Sequence, residues 1–345
     1  MLELIHTIAG IVRSGGKAVC ATIVGHAGSA PRGAGSKMLV WPDGAIAGSV
    51  GGGVLEADVM RRASGLFESG EAAIMEFDLT GEQAAGAGMI CGGAVTVLLE
   101  LIGPGAEAAE VFEQAASVLE KGRRAVLLTI LDKSGQDPSV QSRLLLTRDN
   151  LAGTGPEAPA DVLDFAQSCE SASIVESGGL LYAVEPLVPP SAAVIIGAGH
   201  VGLYTAELAA KVGFRTVIMD DRADFANRRR FPDAAEIRVV KDFTHCFDGL
   251  EIDESSFIVI LTRGHVHDKQ VLAAALTTGA GYVGMIGSRR KRDVIYRALV
   301  QEGLPRAELE RVHSPIGLSI GAETPQEIAV SIVAQMIEVR AGMRP

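Results

Sequence analysis

Residues 194–202 read VIIGAGHVG, a β-branched run followed by Gly197, Gly199 and Gly202 in the spacing of a dinucleotide-binding turn. Gly197 allows the tight turn, Gly199 lets a phosphate approach the backbone, and Gly202 permits a helix to pack closely on the strand. The helix that opens at His200 would offer its free N–H groups and positive dipole end to a pyrophosphate. Asp220 stands 23 residues after Gly197, where a ribose-binding acid is expected, and Arg222 beside it would suit a 2′-phosphate instead. The same glycines would also serve a fold that uses them for packing alone.

Other stretches of the chain could do chemistry. TRGHVHD (262–268) brings Arg263, His265, His267 and Asp268 to the end of a strand, as proton donors, as a set that could hold a metal, or as ordinary loop residues. GSRRKR (287–292) opens a helix with Ser288, Arg289 and three further cations. Cations at a helix N-terminus oppose its dipole, so the run implies a nearby anion or a solvated face. GSAPRGAGSK (28–37) sets Arg32 and Lys37 among glycines and small hydroxyls, a composition suited to an anionic, oxygen-rich ligand. GSVGGG (48–53) runs Gly51, Gly52 and Gly53 directly into a helix, with successive amides and no side chains in the way, but without the Gly-Lys-Ser/Thr ending of a nucleotide P-loop. MICGG (89–93) holds Cys91 before Gly92 and Gly93 at a strand entrance. A thiol there could meet a soft metal or accept sulfur. On the residues alone, a small buried hydrophobe is the stronger reading, as it is for Cys20.

The elements that must position these residues fall into two patterns. A helix over 2–14 precedes strands at 18–26, 37–42 and 45–50, the last two joined by an Asp43-Gly44 hairpin turn. A helix follows from 54, then strands at 73–79, 94–101, 125–131, 142–148 and 180–187, with a helix near 107–121. No period of 20–50 residues repeats the glycines. Val188-Pro189-Pro190-Ser191 reads as a linker between a domain over 1–188 and one over 191–345. Past it, strands at 192–197, 215–220, 237–240, 256–262 and 281–287 alternate with helices near 200–212, 222–230, 266–278, 289–302 and 325–340. The fold class is therefore α/β, a mixed N-terminal domain followed by a Rossmann-like, doubly wound parallel sheet. Thr324, Pro325 and Glu327 announce the last helix.

Composition narrows the function. The chain has 345 residues, 48% apolar, with a net charge of −11 from 31 basic and 42 acidic residues and only 4% aromatics. That balance excludes a nucleic-acid binder, which needs a basic face and stacking rings. No run reaches the length of a membrane helix. The N-terminus lacks a secretory leader's pattern, and four cysteines (20, 91, 169, 246) without CxxC spacing point to a reducing compartment; a cytoplasmic protein is expected.

Taken together, GSAPRGAGSKMLV, the DG turn with GSVGGGVLEADV, CGGAVTVLLE, VIIGAGHVG…DDR, TRGHVHD, GMIGSRRK and HSPIGLSIGAETPQEIAVSI resemble the XdhC/CoxI family of molybdenum-hydroxylase maturation factors. They stand in the family's order over most of the chain, with 104–185 matching loosely. The resemblance implies a chaperone more than a turnover enzyme. It would bind molybdenum cofactor, as molybdopterin or its cytosine dinucleotide, and protect it while a cysteine desulfurase exchanges Mo=O for Mo=S. It would then help insert it into an apo xanthine, aldehyde or CO dehydrogenase. It moves Cys91 from the core to a role at or near molybdenum. Homodimeric assembly is expected. The alternatives are an NAD(P)-dependent oxidoreductase using His265 or His267, and a nucleotide-binding regulator.

Overall fold

A computed structural model describes residues 1–28, 30, 32–78, 93–135, 137–148, 150–153 and 156–343. The chain divides into two compact units, Met1–Pro189 and Pro190–Pro345.

The first unit runs α1 (Leu2–Arg13), β1 (Ala18–Gly28), β2 (Lys37–Val40), β3 (Ile46–Gly48), α2 (Gly53–Ser69), β4 (Ala73–Asp78), β5 (Gly93–Ile102), then α3 (Ala106–Glu120), β6 (Ala125–Asp132), β7 (Ser139–Leu146), β8 (Leu151–Ala152), α4 (Ala160–Ser168), β9 (Ser173–Ser177) and β10 (Leu180–Leu187). The order αβββαββ occurs twice. Its two sheets are antiparallel, with strand orders β3-β2-β1-β5-β4 and β8-β7-β6-β10-β9, the same arrangement in each half.

The register repeats as well. Ala18 pairs with Ile102 and Thr22 with Lys37; in the second half Ala125 pairs with Leu187 and Thr129 with Arg143. The residues agree: Ala18-Val19 and Thr22-Ile23 answer to Ala125-Val126 and Thr129-Ile130, Ser36-Lys37 to Ser142-Arg143, and Ala47-Gly48 to Ala152-Gly153. Gly48 and Gly153 both have positive φ, and a Cβ on either would lie 2.4 Å from the carbonyl oxygen of Lys37 or Arg143. The first unit is thus two copies of one module offset by roughly a hundred residues, beyond the 20–50-residue periods of repeat arrays. α1 contributes Ile5, Ile8, Ile11 and Val12 at helical spacing to a core that includes Val111, Phe112 and Leu119 of α3.

The second unit is β11 (Ala192–Ile196), α5 (His200–Lys211), β12 (Arg215–Asp220), β13 (Glu236–Val239), β14 (Phe257–Ile260), α6 (His265–Leu276), β15 (Tyr282–Met285), α7 (Arg289–Gln301), α8 (Arg306–Glu310), β16 (Val312–His313) and α9 (Pro325–Gly342). Its six strands are parallel in the order β13-β12-β11-β14-β15-β16. Alternate residues of β11 feed two cores: Val194 and Ile196 pack with α6 and α7, Ala193 and Ile195 with α5 and α9. Both faces are covered, which is why these strands read as continuous apolar runs. The Thr324 hydroxyl accepts from the Glu327 amide and the Glu327 carboxylate from the Thr324 amide, completing the expected capping box.

One expected helix is absent. Residues 222–230 form successive turns. Asn227 Nδ2 donates to the carbonyls of Ala223 and Asp224, and the Arg230 amide donates to Asn227 Oδ1. These side-chain bonds supply the backbone with partners that a helix would otherwise provide.

Candidate functional site

The glycine-rich connections of the first module leave from one end of its sheet. β1 finishes at Gly28 opposite Gly93, the first residue of β5, and β4 finishes at Asp78 opposite Ala94. β2 starts at Lys37, and β3, antiparallel to it, ends at Gly48 opposite Met38. Segments 28–37, 48–53 and the run that ends at Gly93 therefore share a sheet end. Cys91 and Gly92 lie outside the described residues. Arg32 is exposed in its loop, which is tied to β1 by the Gly35 amide donating to the Ile23 carbonyl.

The amides of 48–53 are arranged otherwise than the sequence suggests. Glu56, in the first turn of α2, accepts from Ser49 Oγ at 2.6 Å, from the Val50 amide at 3.2 Å and from the Gly52 amide at 3.0 Å; the Gly51 amide donates to Ser49 Oγ. The Ser49 hydroxyl and these amides hold the Glu56 carboxyl below its ordinary range. Part of the glycine nest is thus filled by the protein's own carboxylate, while Gly51, Gly52 and Gly53 all take positive φ to make it.

Lys37 is a correction. Its side chain is 1% exposed and its ammonium reaches Glu185 Oε2 at 2.8 Å and donates to Thr22 Oγ1 at 2.7 Å, so it faces the second module and is out of reach of a ligand at the loops. Burial by itself would lower its pKa; Cys20, Glu185 and Glu100 reverse that and keep it a cation. The equivalent cation of the second module, Arg143, donates from Nε to Glu100 Oε2 at 3.0 Å. Each module thus lends its buried cation to the other's buried acid, the reciprocity of an isologous interface.

In the second unit the strand order places the switch point between β11 and β14, where the carboxyl ends of parallel strands leave a ligand crevice. Gly197 has φ +114°, and a Cβ there would meet the Leu261 carbonyl oxygen at 2.3 Å; on Gly202 it would meet the Gly197 carbonyl oxygen at 2.0 Å. Gly199, ahead of His200 at the exposed start of α5, needs glycine for neither reason: its φ is −70° and a Cβ would meet nothing within 4 Å. Gly202→Ala should destabilise the chain by about 1–3 kcal/mol through overpacking. Gly199→Ala should stay within about 0.5 kcal/mol of the parent. Calorimetric unfolding of both variants checks the contrast, and equal losses would refute it.

Asp220 is 2% exposed and fully engaged. Its Oδ2 accepts the Ala198 amide at 2.8 Å and Arg222 Nη2 at 3.0 Å, and its Oδ1 accepts Arg222 Nε at 2.8 Å and the Arg222 amide at 3.0 Å. Burial would raise its pKa, but the bonds from Arg222 and Ala198 hold the carboxyl below its ordinary range. The Arg222 guanidinium lies 3.6 Å from the Phe225 ring centroid. Arg230, hidden from the sequence reading by the helix expected there, donates to the Ala198 carbonyl at 2.8 Å. Both polar groups of Ala198, the residue between the first two glycines, are thus held, the amide by the last residue of β12 and the carbonyl by Arg230 in the turns after it.

Arg263 Nη2 donates to Asp221 Oδ2 at 2.7 Å, joining the ends of the two strands that flank β11. His265, the first residue of α6, is exposed. His267 Nδ1 lies 3.3 Å from Gln270 Oε1, and Asp268 is buried, bonded by Thr262 and paired with Lys291. The three do not converge, and among the described residues no group of His, Cys, Asp and Glu is arranged to hold a metal. Ser288 caps α7 by accepting the Lys291 amide at 3.2 Å. Of the four cations that follow, Lys291 and Arg292 have acidic partners in Asp268 and Asp293, while Arg289 and Arg290 are exposed. No helix among the described residues is long and apolar enough to cross a membrane.

A family model described as the XdhC Rossmann domain matches residues 193–336, and one described as the XdhC and CoxI family matches 11–78. A Bacillus subtilis protein described as a probable xanthine dehydrogenase subunit is 28% identical over 331 residues, 94% of this chain and 93% of that protein. The molybdenum cofactor insertion chaperone PaoD of Escherichia coli is 25% identical over 329 residues, 95% of this chain and 85% of that one. A crystal structure described as a xanthine dehydrogenase from Bacillus halodurans shares 29% identity and a TM-score of 0.78, covering 99% of this chain and 96% of its own. With a Rossmann turn in the second unit and the family's glycine-rich connections gathered at one sheet end in the first, the chain belongs to the XdhC and CoxI family.

Proposed function

We propose that this chain is a molybdenum-cofactor insertion chaperone for a xanthine dehydrogenase-type apoenzyme. The observation that carries the reading is the gathering of the first module's glycine-rich connections at one sheet end, with Arg32 exposed among them and Cys91 in the run that enters β5 at Gly93. Few side chains there stand between the sheet end and a large, oxygen-rich cargo, Arg32 supplies charge for its phosphate, and the Cys91 thiol is soft enough to meet molybdenum or sulfur. The second module, whose β9–β10 connection is Gly178-Gly179, acts as scaffold. The chaperone protects the cofactor while a cysteine desulfurase sulfurates it, then docks with the apo hydroxylase, acting in the cytoplasm as a homodimer.

The crevice at β11 and β14 takes a nucleotide, with NAD(P) or a cytosine dinucleotide as the forms that suit it. The support is Gly199, a glycine that neither φ nor packing requires, at the N-terminus of a twelve-residue helix. His200, Arg222, Arg263, His265, Ser288 and Arg289 stand at the same strand ends and supply its polar surroundings.

Expression in hosts with and without molybdopterin synthesis, followed by mass spectrometry of bound small molecules, tests both parts. Oxidised-pterin fluorescence should co-elute with the protein at near-equal molar ratio from the competent host alone. Cys91→Ala should lower that ratio or block transfer of sulfurated cofactor to apoenzyme. Protein from the competent host that never carries pterin would sink the chaperone reading.

A further inference from the structure

Two acids stand at the end of β12, and the protein uses them differently. Asp220 is 2% exposed, and its oxygens already accept the Ala198 and Arg222 amides and two nitrogens of the Arg222 guanidinium. A carboxylate accepts along about four lone-pair directions, so Asp220 has none left for a ligand. Asp221 is 25% exposed in its side chain, and its Oδ2 accepts from Arg263 Nη2 at 2.7 Å. Its Oδ1 meets only Arg222 Nε, at 3.7 Å, which is beyond a hydrogen bond.

Given that the crevice takes a nucleotide, we infer that Asp221, in place of Asp220, reads the ribose and selects a free 2′-hydroxyl over a 2′-phosphate. The Asp221–Arg263 pair joins the strand ends on either side of β11, so the open carboxylate oxygen stands beside the glycine turn. A ribose diol donates O–H groups, and a carboxylate with an open oxygen receives them in charge-assisted bonds. A 2′-phosphate brings a second anion against Asp221, and like charges placed together are strongly disfavoured. Arg222 is the cation that would neutralise it. Its guanidinium is already held by both oxygens of Asp220 and lies 3.6 Å from the Phe225 ring centroid. Its charge is spent inside the protein. Asp220 is then a positioning residue, fixing Arg222 and the Ala198 amide, and Arg263 holds Asp221 while leaving one of its oxygens open.

Calorimetric titration of the full chain with two pairs of probes reads the selection. NAD+ and NADP+ differ only at the 2′ position, as do CDP and 2′-deoxy-CDP. In whichever pair binds, the member with the free hydroxyl should bind about tenfold more tightly, the worth of one charge-assisted bond. Asp221→Ser should bring that ratio close to one. Its thermal midpoint should barely move, because a partly exposed ion pair holds little stability. Asp220→Asn should weaken both members alike and keep the ratio. A ratio near one in the parent overturns the assignment while leaving the crevice a nucleotide site. So does a ratio that survives Asp221→Ser. Failure of all four probes to bind would sink the nucleotide reading itself, and the role of Asp221 with it.

Discussion

Lys37→Met should cost the first unit about 3–5 kcal/mol, because it strands a buried acid. The Lys37 ammonium and the Glu185 carboxylate are 1% and 7% exposed, and they meet at 2.8 Å. A buried pair contributes modestly against an apolar replacement, but removal of one partner leaves the other's charge without water or counterion. Arg143→Met should cost a similar amount, since Arg143 occupies the register position in the second module that Lys37 holds in the first, and faces Glu100 as Lys37 faces Glu185. The double variant Lys37→Met with Glu185→Leu should recover most of the loss, giving strong coupling in a double-mutant cycle. Trp41 is the only tryptophan and packs against the core beneath α1, so its fluorescence in a urea titration reports this unit. Single variants that each lose less than about 1 kcal/mol would show the pair to be solvated.

These ion pairs mark where sequence reading succeeds and where it stops. The strands over 180–187 and 215–220, the capping box at Thr324 and the Rossmann turn are local: period, cap residues and glycine spacing specify them within a few residues. The packing roles of Gly197 and Gly202 followed from the same spacing. What escaped is set by distant partners. Lys37 sits in a loop-end motif that looks ligand-facing, and only the fold shows that a carboxylate 148 positions later claims it. The module duplication left signals in Ala-Val-x-x-Thr-Ile at 18 and 125 and in Ser-Lys and Ser-Arg at 36 and 142, but at an offset longer than the periods of ordinary repeat arrays. The turns at 222–230 have helical composition, and Asn227 diverts them through bonds that composition does not reveal. α4 and β9 went unread because the run from 154 to 177 is short on clear periodicity and broken by glycine and proline.

Asp220→Ala should destabilise the second unit by about 3 kcal/mol, a loss set by hydrogen bonds to a buried charge. The Ala198 amide would lose its acceptor, and Arg222 would keep its stacking on Phe225 and its 3.7 Å approach to Asp221. The loss depends on pH with a definite sign. The folded carboxyl titrates below its unfolded value, so its contribution is fully present above about pH 4 and disappears as pH falls through the folded value. The stability gap between parent and variant should therefore be constant from about pH 5 to 7 and close in more acidic solution. Hydrogen exchange at the Ala198 amide gives a local readout, since that N–H is bonded in the parent and free in the variant. Nucleotide binding should fall as well, and two causes are separable. If Asp220 acts by fixing the turn, Arg230→Ala, which releases the Ala198 carbonyl and leaves the carboxylate in place, should weaken binding too. If Arg230→Ala binds normally while Asp220→Ala does not, the carboxylate acts on the ligand itself, and its four bonds to Ala198 and Arg222 must rearrange when the nucleotide enters.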